Sequence, residues 1–298
     1  GVLLARMIDR IGKGIRTAPR DVMVGESAKA GSRGRAFGIH KALDMAGSSI
    51  GILLAYLLLR RAAGGFDYRT VFWLSIIPAV LGLAMFPFIR EKPAAAAAKP
   101  RERFWKNLRG LNGQLKLYLL VSFLFTLGNS SNAFLLLRAG SVGFSDTSVI
   151  LLYFVYNLTA AVFAIPAGKR SDRIGRKSLL VAGYFVYAVV YAGFAFANGK
   201  AVMIALFVLY GLYTAMIAGV ERALISDIAP QEIRGTMLGM QSTLVGIALL
   251  PASMIAGLLW NAFGAAAPFL FGSALAAAAA CVLLFGLRNS PVPKSGVE

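Results

Sequence analysis

An all-α, polytopic membrane fold is predicted for this chain, and three observations predict it. Of 298 residues, 58% are hydrophobic and only 15% charged, with a mean hydropathy of +0.69, whereas soluble domains are about 25% charged. Eight apolar runs, near 36–59, 70–89, 115–137, 148–167, 178–197, 201–220, 236–260 and 265–287, reach the roughly 20 residues that cross a bilayer as a helix. Of 31 Lys and Arg residues, 26 fall on 6–41, 90–116, 169–177, 222–234 and 288–294, which share one side if the runs alternate across the bilayer. Basic residues collect on the cytoplasmic side, so these loops and the C-terminus are expected there, against anionic lipid headgroups. The net charge of +18 is thus a matter of topology, with no nucleic-acid partner. The runs do not alternate apolar and polar residues as β-barrel strands do.

The first segment, 2–26, is the polar exception. It carries Arg6, Asp9, Arg10, Lys13, Arg16, Arg20 and Asp21 in a stretch of spanning length. Each charge near a bilayer centre costs about 2.5–3.5 kcal/mol on insertion scales, so these groups must face water or partners. Arg6, Arg10, Lys13 and Arg20 recur near helical spacing and share a face. The alternatives are a solute cavity and a structural ion-pair network, with Asp9 paired to Lys13 and Arg20 to a partner elsewhere. Pro19 is expected to kink the helix. Gly12-Lys13-Gly14 lacks the spacing and preceding strand of a phosphate loop.

In the 36–59 run, His40, Lys41 and Asp44 lie within one turn. An intramembrane acid is a proton-relay candidate, and Asp44 is the best placed here. Lys41 supplies the simpler account, a structural ion pair. His40 has no companion metal ligands at a suitable spacing. After 70–89 the chain becomes polar: a Pro-flanked alanine tract leads into Arg101–Arg109, whose Phe104, Trp105 and Leu108 share one helical side. That pattern fits either a helix on the membrane surface or a flexible tether. It divides the chain into 1–90, a linker 91–114, a bundle 115–288 and a tail 289–298.

Asn129, Ser130, Ser131 and Asn132 interrupt the 115–137 run, while Tyr153, Tyr156 and Asn157, then Tyr210, Tyr213 and Thr214, punctuate later spans. They are either solute ligands or interhelical packing groups. Lone Cys281 sits in an apolar run and has no disulfide partner in the chain. No set of nucleophile, base and oxyanion donor can be assembled, so an enzyme is not expected.

Between the fourth and fifth runs lies Ala167-Gly168-Lys169-Arg170-Ser171-Asp172-Arg173-Ile174-Gly175-Arg176-Lys177, expected as a tight turn with five cations and one acid. Its Gly-x-x-x-Asp-Arg-x-Gly-Arg-Lys pattern resembles the loop signature of the major facilitator superfamily of transporters, with Arg170 where Leu is usual. Arg6, Arg10 and Gly12 likewise resemble that family's fourth-helix signature, with Arg10 in place of Gln. An internal repeat agrees: Arg33-Gly34-Arg35-Ala36-Phe37-Gly38 matches Arg234-Gly235-Thr236-Met237-Leu238-Gly239 at an offset of 201 residues, which also superposes Arg20-Asp21 on Glu221-Arg222 and Glu26 on Asp227. Parallel repeats relate the two halves of such transporters.

The resemblance implies an incomplete first bundle and a complete six-helix second bundle, corresponding to family helices 4 to 12. It implies a monomeric secondary transporter of a small solute in a bacterial inner membrane. Proton-coupled efflux is the leading mode, with no cofactor and no metal beyond a proton gradient. The alternatives are transport of an anionic organic solute through a cationic cavity and, from another class, a non-transporting receptor of the same fold. Substrate or coupling candidates are Arg6, Asp9, Arg10, Lys13, Arg16, Asp44, Asn129, Asn132, Tyr210 and Thr214. Family analogy places Asp172 at the N-terminal end of the helix opening at Gly34–Phe37, with Gly168 and Gly175 shaping the signature. Arg173, Arg176 and Lys177 are expected as topology anchors and lipid-phosphate partners. The reversed order of Arg20-Asp21 and Glu221-Arg222 suggests crossed pairs, Arg20 to Glu221 and Asp21 to Arg222, as an inner gate. Pairing of Arg and Asp within each half is the alternative.

Overall fold

A computed structural model describes residues 2–61, 68–88 and 111–287, with side chains for all of these except 2–11, 13–15, 30, 59–61, 68, 86 and 232. The linker around Phe104 and Trp105, read as either a surface helix or a tether, lies outside the described residues. Helices α1 (Val2–Ser27), α2 (Arg33–Arg61) and α3 (Tyr68–Ala84) form the first set. The second comprises α4 (Gly113–Gly128), α5 (Ala133–Ser141), α6 (Asp146–Ile174), α7 (Arg176–Phe196), α8 (Lys200–Ile228), α9 (Arg234–Phe263) and α10 (Ala267–Gly286). There are seven spans long and apolar enough to cross a bilayer among the described residues, α4 and α5 counting as one. The chain is an all-α polytopic membrane protein. The run at 70–89 yields a shorter helix than expected, because the chain leaves it for a 3-10 turn at Phe86–Phe88.

Local chemistry sets the element ends. The Asn112 side chain accepts the Leu115 N–H at 2.9 Å and opens α4, and Ser145 caps α6 in the same way, satisfying donors that a first turn leaves free. The Gly168–Ile174 stretch corrects the expected turn. It is the last part of α6, and the reversal into α7 occupies Gly175 alone. Gly175 has φ +95°, a region that glycine enters without a Cβ clash.

The internal repeat is visible in the element bounds. At the offset of 201, the end of α1 at Ser27 falls on the end of α8 at Ile228, the 3-10 turn Ala30–Ser32 falls on Gln231–Ile233, and the start of α2 falls on that of α9. Each copy thus ends a long helix, turns tightly, and re-enters the bilayer at an Arg-Gly pair.

Tyr118, Tyr184, Tyr187, Tyr191, Phe194, Phe207 and Phe269 are fully buried at the centre of the second set. Around them α4 packs on α9 and α10, α7 on α8 and α10, and α6 on α8. The two sets meet where α2 lies along α6 and α8, and α1 along α9. The α2–α6 crossing is backbone against backbone: a Cβ built on Gly168 would stand 2.2 Å from the Gly34 carbonyl oxygen, and one on Gly38 2.7 Å from that of Ala164. Small residues at such crossings let membrane helices approach closely. At the other end of α2, Leu53, Leu54 and Leu57 are exposed. The two sets therefore touch mainly at the end that carries the basic loops.

Because the atom opposite Gly168 is backbone, Gly168→Ala must push α2 from α6. A loss of about 1–3 kcal/mol is expected, typical of overpacking, and a lowered thermal midpoint of the purified protein in detergent is the check.

Candidate functional site

At the basic-loop end, the Asp172 carboxylate sits on the first turn of α2. It accepts the Gly34 N–H at 3.0 Å and the Arg35 N–H at 2.8 Å. Negative charge is favoured there by the free N–H groups and the helix dipole. Buried Arg176 donates to Asp172, to the Ser171 hydroxyl at 2.9 Å, and to Asp227 at 2.8 Å. Asp227 also takes Arg33 of the first set at 2.9 Å, and Arg33 reaches the Ser226 carbonyl at 2.7 Å. Arg33 and Asp227 complete this cluster, although the sequence marks them only as repeat residues. The signal was present, since an Arg-Gly helix start in one half lies opposite the acidic helix end of the other.

Two expectations for the signature need correction. Arg176 is not a lipid-phosphate anchor, because three acceptors hold it inside the protein. Lys177 donates to the Leu287 carbonyl, closing the C-terminal end of α10, where orphan carbonyls favour a cation. Arg173 is exposed.

The crossed-pair expectation divides. Arg222 reaches buried Asp21 across the two sets at 2.8 Å, and also donates to the Ser242 hydroxyl at 3.0 Å. Arg20 does not meet Glu221. It turns onto its own neighbour, Asp21, at 2.9 Å, because a short side chain adjacent in sequence is already in reach. Glu221 instead accepts from the Tyr184 hydroxyl at 2.9 Å and from the Gln241 amide at 3.4 Å.

Asn129, Ser130, Ser131 and Asn132 break the span between α4 and α5. Asn129 donates to the Tyr213 hydroxyl at 3.1 Å. Asn132 accepts from Tyr210 at 3.0 Å and donates to Tyr153 at 3.4 Å. Thr214 donates to the Tyr210 carbonyl at 3.0 Å. Around these lies a sheaf of rings, with Tyr187 and Tyr191 stacked at 4.0 Å and Tyr210 at 5.1 Å from both Tyr156 and Tyr213. Irregular backbone at membrane depth must be satisfied within the protein; the Tyr187 hydroxyl donates to the Gly128 carbonyl at 3.0 Å and the Asn129 N–H to the Thr126 carbonyl at 3.0 Å, while the amide side chains pair with the phenols. Tyr210 and Tyr213 are buried within the bundle, so in this state they hold helices together. Beyond the break, Arg138 on α5 donates to the carbonyls of Phe194, Ala195 and Ala197 at 2.9 to 3.1 Å, tying α5 to the end of α7.

Asp44 is half exposed and paired with Lys41 at 3.0 Å, the simpler of its two accounts. Arg16 is exposed. The side chains of Arg6, Asp9, Arg10 and Lys13 lie outside the described residues.

Residues 1–138 and 118–298 each match the family model for the Major Facilitator Superfamily. The chain belongs to that superfamily. It is 40% identical over 294 residues to an uncharacterized MFS-type transporter of Methanocaldococcus jannaschii, covering 96% of this chain and 72% of that protein. Over 140 residues it is 29% identical to the class E tetracycline resistance protein of Escherichia coli, covering 47% of this chain and 34% of that protein. Its fold resembles the crystal structure of the human organic anion transporter MFSD10, with TM-score 0.68 and 16% identity over 90% of this chain and 67% of that one. The chain therefore spans part of the length of each relative. Membership makes it a transporter rather than an enzyme, with a small-molecule substrate.

The Asn132–Tyr210 bond should be measurable as a coupling. In a double-mutant cycle of Asn132→Ala and Tyr210→Phe, unfolding in detergent should give about 0.6 kcal/mol, with about 1.7 as the upper range for such membrane bonds.

Proposed function

We propose that this transporter exports a small solute by alternating access, driven by proton entry, as a monomer in a bacterial plasma membrane with its basic loops cytoplasmic. One observation carries the reading. The contacts joining the two sets at the basic-loop end can be released with every acid keeping a cation of its own set. If α2 withdraws from Asp172, that carboxylate keeps Arg176, which keeps Asp227, all within the second set. If Asp21 leaves Arg222, it keeps Arg20, and Arg222 keeps Ser242. Breaking a buried pair costs about 3–5 kcal/mol when a charge is stranded, and this arrangement avoids that penalty for Asp21, Asp172 and Asp227, while Arg33 falls back on the Gly25 carbonyl at 3.3 Å. The likeness to a tetracycline resistance protein over about half the chain supports efflux.

A second reading, an anionic organic solute, rests on exposed Arg16 in the cation-rich α1, because a fixed positive surface draws anions. Full-length protein in proteoliposomes separates the two. Tetracycline movement that follows an imposed pH gradient supports proton-driven export, whereas fluorescein movement without that dependence supports the second. If neither moves, the solute is of another class than these two probes.

Asp172→Asn removes the charge at the α2 N-terminus and one of the two acids that hold Arg176. A loss of about 1–2 kcal/mol from the closed arrangement, or roughly 5–30-fold in the closed-to-open ratio, is expected. Faster labelling of a cysteine placed at Ser27 is the check.

A further inference from the structure

With Arg20 turned onto Asp21, Glu221 lacks the cation that a crossed pair would give it. Within the span Lys200–Ile228, its carboxyl has a phenol and an amide as its hydrogen-bonding partners among the described residues, Tyr184 at 2.9 Å and Gln241 at 3.4 Å. No ion pair to Glu221 is formed among the described residues. The groups facing it come from every neighbouring helix. They are Tyr118 on α4, whose hydroxyl takes the same Gln241 amide at 3.2 Å, Tyr184 on α7, Gln241 on α9, and Tyr213 and Arg222 on α8 itself. The adjacent cation Arg222 acts on this carboxyl, and its guanidinium is committed to Asp21 of α1 at 2.8 Å.

We propose that Glu221 is a proton-binding site coupled to closure of the basic-loop end through exchange of Arg222 between two acids. In the closed arrangement Arg222 serves Asp21, and Glu221 holds a proton among neutral partners. When α1 withdraws, Asp21 keeps Arg20, and Arg222 is released to its sequence neighbour Glu221. That carboxyl then gives its proton to water entering between the two sets and becomes the carboxylate of an Arg222 pair. One proton leaves and one ion pair is exchanged for another, so charge and atoms balance. An intramembrane carboxyl is costly to ionise without a cation. Linkage then makes the coupling reciprocal: closure favours proton binding, and acid favours closure.

The proposal rests on the transporter reading for its purpose but not for its test. Spin labels at Ser27→Cys and Gln231→Cys, in a Cys281→Ser background of the full-length protein in nanodiscs, report the separation of α1 from the start of α9. The short-distance, closed population should fall as pH rises, with no solute present. Glu221→Gln, which cannot ionise, should stay closed at every pH, and Glu221→Asp should restore the pH response. If the Gln variant does not fold, Arg222→Gln replaces it, since without a cation to exchange the pH response must vanish. A response unchanged in either variant overturns the proposal and directs attention to His40, the other titratable group beside Arg20 and Asp21. Proton-driven transport that persists in Glu221→Gln would remove Glu221 and leave the export reading standing. A pH-linked closure without transport would do the reverse.

Discussion

The Asp172 carboxylate resting on the first turn of α2 is the contact on which the rest of the basic-loop end depends. A helix start leaves N–H groups without partners, and here a side chain from the other helix set supplies the acceptor. For a side chain as short as Asp to reach them, the two backbones must nearly touch, which is why Gly34 and Gly168 face each other. The carboxylate in turn needs a cation, and Gly175 reverses the chain in one residue so that Arg176 returns to it. Arg176 then recruits Asp227, and Asp227 recruits Arg33. Each element of the signature stretch answers a requirement set by the one before it.

That order of dependence also explains why the cluster is lopsided. Asp172, Arg176 and Asp227 belong to one helix set and remain paired with each other, whereas the first set contributes backbone N–H groups and Arg33. Water can take over for exposed backbone donors at a helix start more cheaply than for a stranded ion. At Asp172 the contact across the interface is therefore made with groups that tolerate separation, whereas Arg33–Asp227 and Arg222–Asp21 are ion pairs that separation must break.

Much of the fold was legible because it follows from composition. Spanning runs, their alternation and the charge bias need only length and hydropathy, and the repeat needed only an Arg-Gly pair at a fixed offset. The contact of Asp172 with the Gly34–Phe37 helix start was legible from the signature, although its action as a lock remains a proposal. What failed were choices among competing partners. Arg20 had two acids within its possible reach, and the adjacent one won. Arg176 looked like a surface cation because neighbouring residues in the stretch are charged, yet α6 continues through Ile174 and carries the following turn inward. The 129–132 break was visible as polar residues in an apolar run. Nothing in the sequence told that Tyr210 and Tyr213, not solute, satisfy it in this state.

The two polar regions work on different energy scales, and that difference bears on how a solute acts. Hydrogen bonds between neutral groups in membrane bundles are worth about 0.6 kcal/mol on average, so the Asn129, Asn132 and tyrosine contacts can be traded one for another at small cost. The charged contacts at the basic-loop end are individually larger, and they decide whether the two sets are together. A ligand shifts such an equilibrium only by its differential affinity for the two states. A solute that replaced a few neutral bonds at the break would supply little of that by itself. A change in the charged contacts, where a proton or a single ion pair counts for much more, has the larger effect on closure. On this division the mid-span amides and phenols suit recognition, and the acid and arginine exchange near the basic loops suits commitment to one state.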